Sequence, residues 1–175
     1  TATPAAGTSG RPLASAPIDF PDPVTIEPEG DGYRTIGLGR SVRISNPDKP
    51  FFGDQYRKGD LIQYYASISP MLLPHLEGRA LSMARYPDGA GGSYFYEKQC
   101  PSHAPEWLAR APIHSTHRGE PIEFCTVSDA ASLVWVANMA CIEMHPWLSR
   151  AERHDLPDFA EDAFGRGAAG AVVCT

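Results

Sequence analysis

Apolar and polar side chains alternate loosely between residues 33 and 44, with Ile36, Leu38, Val42 and Ile44 as the apolar members and Gly37 and Gly39 as interruptions. That pattern predicts two short strands and a turn. Pro47 and Pro50 then hold residues 46–56 as a loop. From Lys58 the spacing becomes helical through Leu61, Tyr65, Ile68 and Leu72, and Pro70 and Pro74 should kink or end that helix. Residues 80–86 read as a strand, Pro87-Asp88-Gly89 as a turn, and Ser93 to Lys98 as a returning strand, so a hairpin is expected. Residues 100–119 look irregular, with a helical turn at 106–109. A strand over 122–127 leads to Ser128, an expected N-cap for a helix from Asp129 to about Ala140. Its apolar face would be Leu133, Val134, Ala137 and Cys141. Residues 141–148 should form a strand carrying Glu143 and His145. Strands and helices mix without a repeating βαβ period, which predicts an α+β fold.

Composition sets the limits of this unit. Residues 1–32 are rich in Pro, Ala, Ser, Thr and Gly, and such a segment buries too little surface to offset its chain entropy. A disordered arm is expected there, an ordered domain over 33–159, and an atypical Gly/Ala tail over 160–175. A length of 175 residues with 42% apolar and 21% charged content suits one globular domain. No apolar run approaches the ~20 residues that span a bilayer. No basic-then-apolar leader is visible, and a cytoplasmic location is expected. Cysteines stand at 100, 125, 141 and 174 without a C-x-x-C pair, and are expected to be reduced, mostly buried thiols.

The net charge of −6 disfavours a protein that coats nucleic acid, but the charge is uneven. Residues 34–58 hold six basic and two acidic side chains, whereas residues 1–33 hold one and five. A local basic patch can hold one or two phosphates; it cannot cover a long duplex. Within it, Asn46, Lys49 and Lys58 combine an amide and two ammonium groups beside two prolines. A terminal phosphate carries about two charges and strong acceptor oxygens, and so wants such partners. The same residues would also suit a capped turn with two surface lysines. Phe95, Tyr96 and Lys98 make a second candidate, with Arg85 on the partner strand. Alternation sends Phe95 and Tyr96 to opposite faces, one into the core and one available to stack on a base; core packing alone is the other reading. His145, before Pro146, could meet a nucleotide phosphate or bond to backbone. No P-loop, G-x-S-x-G elbow or H-E-x-x-H string is present.

The strings SNPDKPFF at 45–52, KGDLIQYY at 58–65, LLPHLEGR at 72–79 and RYPDG at 85–89 are followed by FYEK at 95–98, APEW at 104–107, SLVWVAN at 132–138 and EMHPW at 143–147. Together they resemble the polymerase domain of bacterial ATP-dependent DNA ligase D, the primase-like polymerase of non-homologous end joining, and its stand-alone relatives. The resemblance covers roughly residues 40–159 and implies the N-terminal portion of an archaeo-eukaryotic primase type fold. It implies that Asn46, Lys49 and Lys58 grip the 5′-phosphate at a DNA gap or break. Arg85, Phe95 and Tyr96 would then face the template, and His145 a nucleotide. The implied reaction is template-dependent primer extension with nucleoside triphosphates and Mn or Mg, alongside Ku and ligase machinery.

The chain departs from the family after its Glu-x-His segment. The family continues with an Asp-x-Asp motif, a Ser/Lys/His segment and a third Asp, which together serve two-metal phosphoryl transfer. Here Asp155, Asp158, Glu161 and Asp162 supply no Asp-x-Asp spacing. No catalytic residue and no metal ligand are therefore assigned. A truncation or frame change near residue 160 would explain the shift. Three readings follow: a member of a polymerase family, a non-catalytic DNA-end-binding remnant, or a fragment without activity.

Overall fold

The computed structural model describes residues 24–114 and 120–157. The expected tail at 160–175 and most of the expected arm lie outside these residues. The element order is β1 (Thr25–Glu29), β2 (Gly32–Ile36), β3 (Arg43–Ile44), β4 (Pro50–Phe52), β5 (Tyr56–Arg57), α1 (Lys58–Ser67), α2 (Ser69–Leu76), β6 (Leu81–Arg85), β7 (Phe95–Glu97), β8 (Arg110–His114), β9 (Pro121–Cys125), α3 (Ala130–Asn138) and β10 (Cys141–Pro146). A 3-10 turn at Ala151–Arg153 follows. The mixture is α+β, as the periodicity predicts.

β1, β2 and β3 form an antiparallel sheet. Its first strand lies in residues expected to belong to the arm: Thr25–Glu29 pair across Gly30 with Gly32–Ile36. Backbone pairing and the buried Val24 stabilise a strand that is poor in apolar residues. The central sheet runs β10-β6-β9-β8, with β7 also on β6. β8 occupies residues expected to be irregular. Pro112 hid it, yet β8 is an edge strand, where a missing N–H is tolerated, and its alternate residues Ala111 and Ile113 are buried.

α1 ends at Ser67 and α2 restarts at Ser69, with Pro70 in the first turn and Pro74 inside. The predicted break is therefore present. α3 is buried along Ala131–Ala137 rather than on one face. It lies between α1 and the sheet, and Ile62, Leu133, Val134, Val136 and Met83 are essentially inaccessible. Each such side chain is worth about 1.5–3 kcal/mol of apolar burial. Its N-cap is Asp129 rather than Ser128: the carboxylate accepts from Ser132 N at 2.7 Å, and Ser132 Oγ accepts from Asp129 N at 3.0 Å.

Two of the cysteines differ from expectation and one agrees with it. Cys100 and Cys125 form a disulfide, and Cys141 is a buried free thiol. After β7 the chain lies back along β9, where Cys100 N donates to Glu123 O at 2.6 Å. That leaves the two Cα atoms 4.9 Å apart across 25 residues of sequence, within the range a disulfide can bridge. No local spacing in the sequence announces such a pairing. Burial pushes the Cys141 thiol up to about 12.

Candidate DNA-end interface

The loop between β3 and β4 is fixed by hydrogen bonds on both sides; beyond it, part of the stretch expected to stay loop to residue 56 pairs instead as the short strands β4 and β5. Asn46 sits at φ +48°, a left-handed conformation that Asn tolerates, and its carbonyl accepts from Lys49 N at 3.1 Å to close a tight turn. The start of α1 closes on this turn: Lys58 N donates to Lys49 O at 2.9 Å and Gly59 N to Pro47 O at 2.7 Å. A Cβ on Gly59 would meet Pro47 O at 3.3 Å, so the approach favours glycine. From the core side, Asn138 at the end of α3 accepts from Ser45 N at 3.0 Å and donates to Arg43 O at 3.1 Å. Asn138 thus anchors the loop to the most buried helix. The sequence places it inside a matching string but gives no hint of this role.

The cations of this loop differ in setting. Lys58 is 5% exposed. Its ammonium donates to Ser45 O at 2.7 Å and Ser45 Oγ at 3.0 Å. An ammonium has three N–H donors, so one is left for a ligand. Burial first, then the neighbouring charges of Lys49 and Arg85, pull its pKa from 10.5 to about 8. The charges of Lys49 and Arg85 both bear on Lys58, and no carboxylate bonds to it among the described residues. Lys49 is half-exposed, donating to Pro87 O at 2.6 Å with Asp88 at 3.6 Å. The Asn46 side chain is exposed and makes no hydrogen bond among the described residues. Of the three residues singled out, Asn46 and Lys49 thus stand on one braced turn, and Lys58 starts the helix that is hydrogen-bonded to it.

The second cluster stands on β6, β7 and β10. The hairpin register sets Phe95 opposite Arg85 and Tyr96 opposite Ala84. Phe95 and Tyr96 are 45% and 54% exposed, so neither is the core residue the alternation implied. β7 is a three-residue strand along the outer part of β6, and among the described residues no layer covers it there. Arg85 holds the other side: its guanidinium lies 5.3 Å from the Phe95 ring, pairs with Glu97 at 2.6 Å and donates to Met139 O at 2.8 Å. The last contact satisfies a carbonyl at the C-terminal end of α3. Arg85 is thus structurally employed.

Tyr96 and His145 belong to a ring of groups that also holds Tyr86 and Tyr94, which the sequence did not single out. Tyr86 stacks on Tyr94 at 5.0 Å, Tyr94 meets Tyr96 edge-on at 5.8 Å, and Tyr96 meets His145 edge-on at 5.4 Å. Glu143 completes the circuit, accepting from the Tyr86 hydroxyl and lying 3.3 Å from His145 Nε2. The Tyr86 bond is the main reason that the Tyr86 phenol is pushed up to about 12 and the Glu143 carboxyl is held below its usual range. Tyr86 and Tyr94 could have been found from the density of aromatics between 86 and 96; their stacking follows only from the hairpin. Among the described residues no group of three or more His, Cys, Asp or Glu could hold a metal ion. The residues present do not fit a two-cation centre, and no step is assigned to one here. No helix among them is long and apolar enough to cross a membrane.

Comparison with known proteins bears on the family and the fold. The family model for the LigD primase-polymerase domain matches residues 57–161. The multifunctional non-homologous end joining protein LigD of Mycolicibacterium smegmatis is 36% identical over 105 residues, covering 59% of this chain and 14% of that protein. The corresponding protein of Pseudomonas aeruginosa is 31% identical over 140 residues, covering 73% of this chain and 16% of that protein. The chain thus spans less than a fifth of the length of these relatives. The polymerase domain of Mycobacterium tuberculosis ligase D, solved in complex with DNA, superposes with a TM-score of 0.58 at 31% identity, covering 73% of this chain and 42% of that one. The fold is that of the primase-like polymerases, and the chain belongs to the LigD primase-polymerase domain family.

Proposed function

We propose that this chain grips the end of a broken or gapped DNA strand within non-homologous end joining. Asn46, Lys49 and Lys58 would take the terminal 5′-phosphate, and Tyr96, backed by Tyr94, would stack a template base. His145 would face the phosphates of a nucleotide. The observation that carries this reading is the buried Lys58 ammonium, pressed by Lys49 and Arg85. A dianion placed between Lys49 and Lys58 would relieve that repulsion and use the spare N–H of Lys58 and the unbonded Asn46 amide. The match to a ligase D polymerase domain solved with DNA supports the same ligand class. The family's template-dependent nucleotidyl transfer, its divalent metal and triphosphate, and partners such as Ku and ligase are further parts of this proposal. The sequence holds no Asp-x-Asp pair, so these 175 residues by themselves are expected to bind ends without extending a primer.

Fluorescence anisotropy on recessed duplex ends, with and without the 5′-phosphate, tests the proposal. The phosphorylated end should bind about tenfold or more tightly, the value of one charge-assisted contact of roughly 1.5–3 kcal/mol. Lys49→Ala should remove most of that difference. Equal affinity for both ends would overturn the reading.

A further inference from the structure

Beside the phosphate loop lies an open cleft of about 500 Å³, a size that suits a small organic ligand or a nucleotide. Its walls are the β1–β2 turn with the start of β2, and the segment from Arg43 to Lys49. The base is apolar: Ile44 and Pro47 are buried and Tyr33 is half-buried against the core. Its charged lining residues are Arg43 and Lys49, with Asp31 and Asp48 beside them.

Arg43 is held loosely. Its side chain is 75% exposed, and it pairs at 3.0 Å with Asp31, which is 91% exposed. Such an ion pair contributes little and is readily exchanged. Its backbone, by contrast, is fixed, because its carbonyl accepts from Asn138 and its strand pairs with β2. A guanidinium on a rigid strand with a weak partner is a ready anion contact, and its planar fork suits a phosphodiester.

We infer that this cleft is a second nucleotide subsite: it receives the sugar and base edge that follow the terminal phosphate, and Arg43 contacts the first internucleotide phosphate of the same strand. This rests on the proposed end-binding function and extends it by one nucleotide. A strand suits the cleft better than a free mononucleotide, since its lining runs on into the Asn46–Lys49 turn proposed for the terminal phosphate. Asp31 then acts as a competitor that a phosphate must displace from Arg43.

The test uses the full chain and recessed, 5′-phosphorylated duplexes in which the first internucleotide linkage is native or a neutral methylphosphonate. The methylphosphonate should weaken binding by the parent about five- to tenfold. Arg43→Gln should lose a similar factor on native DNA and nothing more on the methylphosphonate. Asp31→Asn should tighten binding to native DNA by about two- to threefold. Both side chains are exposed, and circular dichroism would confirm that the variants fold. If the methylphosphonate costs the parent nothing while loss of the terminal phosphate still weakens binding, this subsite is refuted and the end-binding reading stands. If neither change matters, both fall.

Discussion

The phosphate loop and the aromatic face meet at residues 85–88 but are stabilised in opposite ways. In the loop almost every constraint is a hydrogen bond to backbone, from Asn138, from the start of α1 and from Lys49 to Pro87 O. Lys58 keeps its ammonium near the charges of Lys49 and Arg85, at a cost in repulsion. In the aromatic face the β6–β7 and β6–β10 ladders fix the backbone, and the rings touch mainly one another. An anion site, as proposed for the loop, would need donors placed to a fraction of an ångström, and side chains there hold the main chain. A stacking surface needs only flat groups in a fixed register, which strand pairing supplies. Arg85 and Tyr86 couple the two: one adds charge near Lys58, the other joins the aromatic circuit.

The largest expected effect separates the loop's function from its stability. Between pH 8 and 10.5 the unfolded chain retains a proton on Lys58 that the folded chain has released. Stability therefore rises with pH across that window, and below about pH 8 the full cost of the buried charge is present, on the order of 3 kcal/mol. Lys58→Met should flatten this rise in urea unfolding and leave stability at pH 7 no lower than the parent's, while abolishing discrimination for the 5′-phosphate. An unchanged pH slope would show that Lys58 is not its source. The aromatic face should behave in the reverse way. Tyr96→Ala should weaken binding to a single-stranded template overhang by about 1–3 kcal/mol, with little change in melting temperature, because Tyr96 is 54% exposed. Phe95→Ala should cost less binding, since its ring is already engaged by Arg85.

Asn138→Ala comes next. It leaves Ser45 N and Arg43 O without their partner, at an expected cost of about 1–2 kcal/mol in unfolding free energy. The phosphate dependence of binding should fall, and binding to the overhang should persist. Parallel loss of both would mean that the two surfaces are not separately supported.

These contrasts also explain what could be read from the sequence. Helical spacing from Lys58, the break before Pro70 and the hairpin around Gly89 are local, so the pattern of residues was sufficient for them. The cationic loop was legible because prolines, Asn46 and lysines crowd a short stretch. Its anchor was not: Asn138 lies more than 90 residues away, and only the packing of α3 delivers it. The same is true of Cys100 and Cys125, joined by a chain reversal along β9. Phe95 and Tyr96 misled for another reason. Strand alternation assumes one covered face, and β7 has none. Pro112 concealed β8 because its edge position, which excuses the proline, is a property of the sheet and not of the strand.

The smallest effect tests the link inside the aromatic circuit. The Tyr86 hydroxyl donates to Glu143, and this bond is the leading cause of the upward shift of Tyr86 to about 12. Ionising Tyr86 would place a phenolate against a carboxylate and forfeit the donated proton, so the phenol resists. In Glu143→Gln the charge is gone and the amide can turn its NH2 to donate to a phenolate, so the bond no longer holds the phenol protonated, and Tyr86 should titrate nearer the ordinary tyrosine value of about 10. Seven tyrosines absorb in the same band, so the measurement is a difference: the alkaline absorbance titration of the parent minus that of Tyr86→Phe, repeated in the Glu143→Gln background. The difference curve should move down in pH. If it stays near 12, the shift does not originate in the carboxylate, and the arrangement that turns His145 Nε2 toward Glu143 loses its electrostatic support.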